Sequence, residues 1–514
     1  MRIGVDVGGT NTDAALMDGT RVVASVKSPT TKDIASGVIS SIRKVLQEAR
    51  TEPSAIKTVM IGTTQFTNAF VERKRLSEVA VMRLALPATE SLPPLTDWPQ
   101  ALVGAIGRHV YFIDGGYEFD GREIAPFNER QVRAAVRNIK ELGIRAVAIS
   151  SVFSPINSTM EERARDIVLQ EIPEARVTLA SDIGRIGLIE RENAAVMNAS
   201  LADLSAQVVG SFRDALKNLG INVPFYISQN DGTLMSADYV ERYPVLTFAS
   251  GPTNSMRGAA YLSGLKEAIV VDIGGTTSDV GVLSHGFPRE SSVPVDIGGV
   301  RTNFRMPDIL AVGLGGGSIV RANGTLTIGP DSVGYRLLEE ALAFGGNTLT
   351  ATDIAVAAGQ AVIGDVARVK RMVSKDVVNA ALDQIHRTAE EAIDRMKTSV
   401  EDVPVVLVGG GSILISRDLK GVSELHVPAR SAEANAIGAA IAQVGGETDR
   451  VFRYAESGRE AALASAMREA EEKAIAAGGD PAALKVVDVE ELPMSYGPGD
   501  AVRVRAKVVS DLLQ

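Results

Sequence analysis

Apolar residues are spaced in two ways along the chain, and the two ways alternate. Short runs rich in Val and Ile predict β-strands, whereas longer stretches with apolar residues at every third or fourth position predict amphipathic helices. Strands are predicted over residues 22–26, 58–61, 145–152, 268–273 and 403–408. Helices are predicted over residues 34–49, 129–142, 159–170, 191–219, 375–399 and 459–477. The alternation predicts an α/β protein with helices packed on sheets.

Two segments carry more specific expectations. The segment 191–219 is long and rich in Ala, Val and Leu at helical spacing, which predicts one buried helix. The proline-rich segment 87–99 contains the only tryptophan, Trp98, and is expected to form a surface loop or lid.

One motif occurs twice in the chain. The sequence VDVGGTNTD at 5–13 matches VDIGGTTSD at 271–279 in six of nine positions, and the copies lie 266 positions apart. This spacing is too long for a solenoid repeat and predicts two similar lobes whose Gly-Gly turns face each other across a cleft. We therefore expect one lobe over 1–180, a second over 181–445 with an inserted substrate region, and a small α+β C-terminal module over 446–514.

The repeated motif has the chemistry of a phosphate site. Glycine lets backbone N–H groups approach an oxyanion closely, and threonine hydroxyls add donors. A single such motif is more often an ordinary hairpin turn, but two copies that keep Thr and Asp around the turn favour a nucleotide clamp. The residues expected to bind the phosphates are Gly8, Gly9, Thr10, Asn11 and Thr12 in the first copy and Gly274, Gly275, Thr276 and Thr277 in the second.

The four aspartates of the motif, Asp6, Asp13, Asp272 and Asp279, are the expected catalytic residues. A carboxylate repels phosphate, so Asp6 and Asp272 are expected to hold Mg²⁺ through its water shell, since this ion takes one or two carboxylates and keeps several waters. Asp13 and Asp279 are expected either to orient the nucleophile or a metal-bound water, or only to pair with a neighbouring backbone N–H.

Two further glycine runs follow predicted strands. Gly409, Gly410, Gly411 and Ser412 come after the strand at 403–408, and Asn435 lies in a helical stretch beyond them. Glycines at the carboxyl end of a strand let a base and ribose lie against backbone, so these five residues are assigned to the nucleotide. A plain strand-to-helix turn explains the run equally well. The other run, at 315–318, fits an adenosine contact, a substrate contact or a turn.

Substrate contacts are the least specific predictions. Residues of the polar loop after the strand at 58–61 and of the run at 315–318 are assigned to substrate: Thr63, Thr64, Asn68, Gly315, Gly316 and Ser318. Other candidates have structural alternatives. Residues 191–193 can be first-turn partners of a helix dipole, Asn254 or Ser255 a helix N-cap, and Arg301 and Arg305 partners of Asp308 in a surface ion pair.

Composition narrows the chemistry further. The 514 residues carry a net charge of −10 with a pI near 5.2 and no basic stripe, so nucleic acid is not an expected partner. Without cysteine there is no disulfide, iron–sulfur cluster or thiol nucleophile, and the four histidines lack metal-ligand spacing. Because no uncharged apolar stretch reaches about 20 residues, we expect no membrane segment and a cytoplasmic location.

Taken together, the motifs resemble the actin-like ATPase superfamily and, more narrowly, the hydantoinase A/5-oxoprolinase family, which includes N-methylhydantoinase A and proteins like the acetone carboxylase β-subunit. The resemblance rests on the order of the segments 3–13, 62–69, 250–252, 272–280, 315–319 and 433–440. It implies duplicated, ribonuclease H-like lobes around a nucleotide cleft, with ATP and Mg²⁺ as cofactors.

The resemblance also implies a reaction. The γ-phosphoryl group of ATP would pass to the carbonyl oxygen of a cyclic amide of hydantoin, oxoproline or lactam type, which is then hydrolysed. It implies a small-molecule cyclic amide or carbonyl substrate, a second, hydantoinase B-like subunit as partner, and an oligomer. Ile61 replaces the His that longer members carry before Gly-Thr-Thr, so no metal or acid–base role is assigned there.

Three other functions fit parts of the pattern. An ATP-dependent ketone carboxylase subunit would phosphorylate an enolate oxygen instead of an amide oxygen. A sugar kinase has a similar start, but kinases of the repressor-like class usually carry a cysteine zinc site, which this chain lacks. A reactivating chaperone would use ATP only as a conformational switch.

Overall fold

The structure is a computed structural model that describes residues 1–8, 11–30, 34–322, 324–494 and 501–513. Its strands are β1 (Arg2–Val7), β2 (Asn11–Asp18), β3 (Arg21–Pro29), β4 (Thr58–Thr63), β5 (Val79–Leu86), β6 (His109–Asp114), β7 (Ala146–Ser151), β8 (Arg176–Leu179), β9 (Phe225–Ser228), β10 (Leu234–Ser236), β11 (Ala268–Ile273), β12 (Ser278–Ser284), β13 (Phe287–Pro288), β14 (Val295–Ile297), β15 (Val300–Thr302), β16 (Ile309–Val312), β17 (Ser318–Arg321), β18 (Thr327–Ser332), β19 (Val403–Val408), β20 (Val422–His426), β21 (Val444–Arg453), β22 (Lys485–Pro493) and β23 (Ala501–Ser510). Its α-helices are α1 (Ile34–Ala49), α2 (Gln65–Glu72), α3 (Gln100–Ile106), α4 (Glu129–Glu141), α5 (Thr159–Glu171), α6 (Ala180–Ile183), α7 (Leu188–Ser200), α8 (Ala202–Asn218), α9 (Ala237–Arg242), α10 (Ser250–Ser263), α11 (Leu337–Glu340), α12 (Ala351–Ala357), α13 (Val366–Met372), α14 (Lys375–Met396), α15 (Ala434–Ile441), α16 (Tyr454–Ser457) and α17 (Arg459–Ala476).

The largest sheet has nine strands in the order β22-β23-β21-β10-β9-β4-β1-β2-β3. Strands β1, β2 and β3 form an antiparallel meander, whereas β1, β4 and β9 run parallel to one another. Val5, Ile61, Val196 and Phe212 are buried in the core on this sheet. The carboxyl ends of β1, β4 and β9 therefore meet at one edge, which is where α/β sheets commonly place their ligands.

The second sheet repeats this arrangement. Strands β11 and β12 form an antiparallel hairpin, β16 pairs with the outer side of β12, and β19 runs parallel to β11 on the other side. The order β2-β1-β4 of the first sheet is thus reproduced as β12-β11-β19. The predicted α/β class with duplicated lobes is confirmed.

Helices α10 and α15 pack against each other between the two sheets. Their backbones approach closely because glycines stand at the contact: a Cβ on Gly438 would lie 1.8 Å from the carbonyl oxygen of Asn254, and a Cβ on Gly258 would lie 1.8 Å from that of Ala434. Helix α15 also contacts β1 and β2, and α10 contacts β11 and β19. The helix pair therefore couples the hairpins of the two lobes.

A four-stranded parallel sheet, β6-β5-β7-β8, forms a third layer with α4 and α5 and has its own apolar core. A buried ion pair joins this sheet to α7. Arg83 on β5 donates through Nε and Nη2 to Glu192 at 2.7 and 2.5 Å, and the Ser150 hydroxyl donates to the same carboxylate at 2.6 Å. Glu192 therefore has a structural role, but as the partner of a buried arginine. The helix-dipole role considered for it is wrong, because α7 begins at Leu188 and its first-turn acid is Glu190.

The C-terminal residues supply β21, β22, β23 and α17. Helix α17 packs on this part of the sheet through a stripe of alanines that includes Ala466, Ala470 and Ala474. Strand β21 pairs in parallel with β10, so the α+β elements predicted for this region extend the first sheet. The sheets combine strands from both sides of positions 180 and 445, and the domain boundaries themselves stay a prediction.

A network of buried charges ties the C-terminal strands to the segment that leaves the second sheet between β13 and β16. Its ion pairs include Arg185 with Glu290 at 2.6 Å, Arg305 with Glu447 at 3.2 Å, Lys507 with Asp231 at 3.0 Å and Arg503 with Asp449 at 2.5 Å. Burial opposes ionisation here, yet the surrounding cations hold the pKa of Glu447 below its ordinary value. The network borders cavities of about 80 and 150 Å³. Within it, the charge of Arg305 is paired with those of Asp231 and Glu447.

Two expectations need correction. The segment 87–99 is mostly exposed, but Trp98 is buried and its Nε1 donates to Asn193 at 2.7 Å, so the tryptophan anchors the loop. The stretch 191–219 forms two helices, α7 and α8, that break at Leu201. Helix α7 is buried from Arg191 to Ser200 as expected, but α8 buries only one face and exposes the other. In the part of the chain described here, no helix is long and apolar enough to span a membrane.

The Arg83–Glu192 pair predicts a large stability effect. Its side chains are 0% and 1% exposed, so Arg83→Met would leave a buried carboxylate without its cation. We expect a loss of about 3–5 kcal/mol in the free energy of unfolding, measured by urea denaturation. The double variant Arg83→Met/Glu192→Met should recover part of this loss. Equal losses in the single and the double variant would contradict the ion-pair interpretation.

Candidate active site

The two copies of the repeated motif form the same hairpin. Gly8 N donates to Asn11 O at 2.9 Å, and Gly274 N donates to Thr277 O at 2.9 Å. A Cβ on Gly8 would lie 3.0 Å from the Asn11 carbonyl oxygen, and one on Gly274 would lie 3.2 Å from that of Thr277, so glycine fits both turns tightly. The sequence repeat is therefore a structural repeat.

Each hairpin places two aspartates side by side. Asp6 stands opposite Asp13 in the register of β1 and β2, and Asp272 stands opposite Asp279 in the register of β11 and β12. Directly opposed residues of an antiparallel pair have neighbouring side chains on the same face. Each hairpin thus presents a pair of carboxyl groups, and these four are the residues predicted to be catalytic.

The first aspartate of each hairpin lies over a glycine of the neighbouring parallel strand. Gly62 on β4 is the register partner of Asp6, and a Cβ there would lie 2.1 Å from Asp6 Oδ1. Gly409, just after β19, has a φ of +88°, and a Cβ there would lie 2.2 Å from Asp272 Oδ1. Gly409, a predicted nucleotide contact, therefore makes room for Asp272. Gly62, which lies in the segment 62–69 of the family resemblance but was assigned no role, does the same for Asp6.

Two asparagine amides from the central helices hold the first pair of carboxylates. Asn254 Nδ2 on α10 donates to Asp6 Oδ1 at 2.9 Å. Asn435 Nδ2 on α15 donates to Asp6 Oδ2 at 3.1 Å and to Asp13 Oδ2 at 2.9 Å. The N-cap role considered for Asn254 or Ser255 is wrong, because α10 begins at Ser250 and both residues lie beyond its first turn.

Burial raises the pKa of all four carboxyl groups, and a neighbouring carboxyl group raises it further for Asp6, Asp272 and Asp279. Burial is the main cause for Asp6, whose pKa rises to about 6 with further contributions from Asp13 and Asp272. Burial and the nearby Asp272 raise the pKa of Asp279 to about 7. Burial also raises the pKa of Asp13 and Asp272. Adjacent residues of α10 bond to both hairpins, Asn254 to Asp6 and Ser255 to Asp272, and Asp272 acts electrostatically on Asp6. The carboxyl groups of the two hairpins therefore lie close together, and we call the space between them the carboxylate cleft.

A lysine that the sequence analysis missed belongs to the same cluster. Lys27 on β3 is the register partner of Asp13, and its Nζ lies 2.8 Å from Asp13 Oδ2. Its charge counteracts part of the rise in the pKa of Asp13, Asp272 and Glu433 that burial causes. Lys27 is therefore a cation placed among carboxylates from both lobes.

Two family profiles match the chain. Residues 2–172 match the profile of the hydantoinase/oxoprolinase N-terminal region, and residues 191–367 match the hydantoinase/oxoprolinase profile. The chain belongs to the hydantoinase/oxoprolinase family. The resemblance expected from the motifs is thereby confirmed.

Relatives within this family include subunits of enzymes with different substrates. The chain is 27% identical over 409 residues to caprolactamase subunit alpha of Pseudomonas jessenii, covering 74% of this chain and 58% of that one. It is 28% identical over 404 residues to the acetophenone carboxylase gamma subunit of Aromatoleum aromaticum, covering 70% of this chain and 53% of that one. The matched part of the chain thus spans little more than half the length of these curated relatives.

A solved structure shares the fold. The crystal structure of the ATP-dependent caprolactamase from Pseudomonas jessenii superposes with a TM-score of 0.77 at 20% identity and covers 100% of this chain and 88% of that chain. This likeness supports the fold described above.

Both later glycine runs donate backbone hydrogen bonds to the second hairpin. Gly316 N and Gly317 N donate to the carbonyl oxygens of Gly274 and Gly275 at 3.0 and 2.7 Å, and Gly411 N donates to that of Ile273 at 2.7 Å. Gly315 and Ser318 are buried and joined by a hydrogen bond of 2.8 Å from Gly315 N to Ser318 Oγ. Gly410 is exposed and Ser412 half-buried beside it. The nucleotide and substrate contacts assigned to these runs stay predictions.

The polar side chains around the first hairpin differ in burial and in hydrogen-bond partners. Thr12 is fully buried, and its hydroxyl lies 3.2 Å from that of Thr30, which donates to Gly8 O. Thr63 is also buried, whereas Thr64 is half-buried and accepts from Asn68 at 3.4 Å.

In the second hairpin Thr276 and Thr277 are exposed, with hydroxyls available to a ligand. Gly9 and Thr10 lie outside the described residues.

The remaining candidates have structural partners. Arg191 donates to Ser151 O at 2.7 Å, and Asn193 bonds to Trp98 and to Arg301 O. Arg305 donates to Gln229 at 2.6 Å within the buried charge network, and Asp308 pairs with Arg289 at 2.7 Å rather than with Arg301 or Arg305. The surface ion pair considered for Arg301 and Arg305 with Asp308 is therefore wrong.

The carboxylate cleft fits Mg²⁺ bound through water. Asp13 Oδ1 is buried and has no hydrogen-bond partner among the described residues, which leaves an acceptor for a water or a metal-bound water. Asp6 and Asp272 repel each other across the cleft, and a divalent cation between them would relieve this repulsion. Within the described ranges, no group of three or more acidic or histidine side chains is placed to hold a metal directly, and Mg²⁺ needs only one or two carboxylates.

The raised pKa of Asp279 predicts a pH-dependent stability. The unfolded pKa is 3.8 and the folded one about 7, so the folded protein holds this proton more tightly and loses stability as the pH rises through that window. Asp279→Asn keeps the shape without the charge. We expect the variant to melt a few degrees above wild type at pH 8, with the difference shrinking towards pH 4, in thermal denaturation followed by circular dichroism.

Asp231→Asn provides a control of opposite sign. Although burial opposes it, Arg305 and Lys507 hold the pKa of Asp231 below its ordinary value, so this carboxylate stabilises the folded state above pH 4. Asp231→Asn should therefore lower the melting temperature at pH 8. A change of the same sign in both variants would contradict the electrostatic assignment.

Proposed function

We propose that this chain is the ATP-using component of a hydrolase that opens a cyclic amide of hydantoin, oxoproline or lactam type by phosphorylating its carbonyl oxygen. The observation that carries the proposal is the convergence of four aspartates from two duplicated hairpins, in a chain of the hydantoinase/oxoprolinase family. The caprolactamase relative supports an amide as the substrate.

In this proposal the hairpin turns hold the phosphates of ATP. Gly8, Gly9, Thr10, Asn11 and Thr12 would contact them from the first lobe, and Gly274, Gly275, Thr276 and Thr277 from the second. The matched turns and the exposure of Thr276 and Thr277 support this arrangement. The glycine run that begins at Gly409, together with Asn435, would hold the ribose and base.

Asp6 and Asp272 would hold Mg²⁺ through water, and the ion would offset charge on the transferring phosphoryl group. Asp6 is ionised above pH 6 and is fixed by two amide donors, which suits a group that must stay in place when a metal and its waters bind. Asp279, with a pKa of about 7, is suited to accept a proton from an attacking water near neutral pH.

The chemistry explains why ATP is needed. An amide carbon is a poor electrophile and its nitrogen a poor leaving group. Attack of the carbonyl oxygen on the γ-phosphorus breaks the bond to ADP and leaves a phosphorylated imidate. Water then adds to the imidate carbon and the ring nitrogen departs with a proton, which gives an acyl phosphate. A second water converts this into a carboxylate and inorganic phosphate.

A ketone carboxylase subunit is the second candidate. The acetophenone carboxylase gamma subunit is about as similar to this chain as the caprolactamase subunit is, at 28% and 27% identity. The same phosphoryl transfer would then act on an enolate oxygen. Both relatives are named as subunits, so we also propose that a second, hydantoinase B-like subunit completes the enzyme in a larger assembly.

The direct test measures ADP release from Mg·ATP by the purified chain with a panel of hydantoins, 5-oxoproline, lactams and ketones. Each substrate is tested with and without a candidate second subunit, and products are identified by mass spectrometry. We expect cyclic amides to stimulate ADP release with ring-opened product, and Asp272→Asn to abolish it. Bicarbonate-dependent carboxylation of a ketone would favour the second candidate, and a phosphorylated sugar or substrate-independent hydrolysis alone would contradict both.

Gly62→Ala tests the placement of Asp6. The added Cβ would lie 2.1 Å from Asp6 Oδ1 and 2.4 Å from Asn254 Nδ2, so both side chains must move. We expect kcat for ADP release to fall by about 100-fold, because small misplacement of a catalytic group has an effect of this order. Gly210→Ala is the matched control, since a Cβ there meets no atom within 4 Å in helix α8. It should leave kcat unchanged, and equal activities of the two variants would contradict the assignment.

A further inference from the structure

The carboxylate cleft poses an electrostatic problem for an anionic substrate. Four aspartates face it: Asp6, Asp13, Asp272 and Asp279. Glu433 is also nearby, since the charge of Asp13 raises its pKa. The triphosphate of ATP would add further negative charge to these acidic groups. A divalent cation offsets only part of this total, so the protein itself has to supply positive charge near the phosphates.

Lys27 is the side chain that meets this need. Its ammonium group lies 2.8 Å from Asp13 and acts electrostatically on Asp272 and Glu433 as well. The neighbouring Arg430 acts on Glu433 and donates to Ser25 at 2.9 Å on the outer part of β3. Among the cleft aspartates, Asp13 and Asp272 are the two whose pKa the charge of Lys27 lowers.

The Lys27–Asp13 ion pair is not needed to orient the Asp13 carboxylate. Asn435 already donates to the same Oδ2 atom of Asp13, so the carboxylate is oriented without the lysine. The Lys27 side chain is also 32% exposed and donates one hydrogen bond, to Asp13, among the described residues. Two of its three N–H bonds therefore point to a ligand or solvent.

We propose that Lys27 is a catalytic residue that contacts the γ-phosphoryl group during its transfer, while its ion pair with Asp13 keeps it in the cleft. This inference rests on the proposed function of the cleft. In a loose transition state, charge accumulates on the three equatorial oxygens of the moving phosphoryl group. Lys27 would donate to these oxygens, and its contribution would be larger in the transition state than in the bound ground state.

The test separates transition-state contact from binding and from folding. Lys27→Gln and Lys27→Arg are compared with Lys44→Gln, which removes an exposed lysine of α1 whose Nζ bonds to Ser28 at 3.1 Å. For each protein, kcat for ADP release, the Kd of ADP, the Kd of ADP with orthovanadate and the melting temperature are measured. Vanadate with ADP mimics the phosphoryl group in transfer.

We expect Lys27→Gln to lower kcat at least 100-fold and to abolish the tightening of ADP binding by vanadate. The Kd of ADP alone should change less than threefold, and the melting temperature should stay within a few degrees of wild type. Lys27→Arg should retain part of the vanadate effect, and Lys44→Gln should resemble wild type in every measurement.

Three results would overturn the inference. A kcat of Lys27→Gln within threefold of wild type would exclude a catalytic contact. Equal weakening of ADP and ADP–vanadate binding would make Lys27 a ground-state anchor. A large drop in melting temperature for both Lys27 variants, with the vanadate effect intact, would make the pair structural. A wild-type protein that releases no ADP would instead overturn the proposed function and this inference with it, so the two failures are distinguishable.

Discussion

The repulsion among the cleft carboxylates is the constraint on which the rest of the site depends. Four aspartates from two hairpins face one space. Burial raises the pKa of each one, and the charge of a neighbouring aspartate raises it further for Asp6, Asp272 and Asp279. Such an arrangement does not form unless other groups hold it in place. The tight turns, the close packing of the central helices and the asparagine amides can all be understood as responses to this requirement.

Glycine is the first of these responses. Gly62 and Gly409 leave space for Asp6 and Asp272 beside the neighbouring strand, and Gly258 and Gly438 let α10 and α15 approach closely enough to aim amides at Asp6. Each hydrogen bond to a carboxylate contributes about 1.5–3 kcal/mol, which offsets part of the cost of burying its charge. The charge network around Glu447 and Arg305 pairs basic with acidic side chains and joins the C-terminal strands to the rest of the protein.

The sequence allowed much of the regular structure to be predicted. The strands predicted at 268–273 and 403–408 and the helix at 34–49 coincide with β11, β19 and α1. Periodicity could not show the break between α7 and α8, because apolar residues recur at helical spacing on both sides of Leu201. The break follows from a tertiary contact: the Ser200 carbonyl accepts from Ser77 N at 2.8 Å, where the chain enters β5. Local patterns contain no information on such a partner.

The parts of the site that belong to the repeated motif could be predicted from the sequence. The part that depends on the register between β2 and β3 could not. The four aspartates follow from matching the two motifs, whereas Lys27 follows from a β-bulge. Asp18 pairs with Arg21 across the turn from β2 to β3, and an unbroken register from there would put Val26 opposite Asp13. The register shifts by one residue between Leu16 and Met17, which brings Lys27 opposite Asp13 instead. Because a one-residue shift exchanges the two faces of a strand, this irregularity decides whether a valine or an ammonium group faces the cleft.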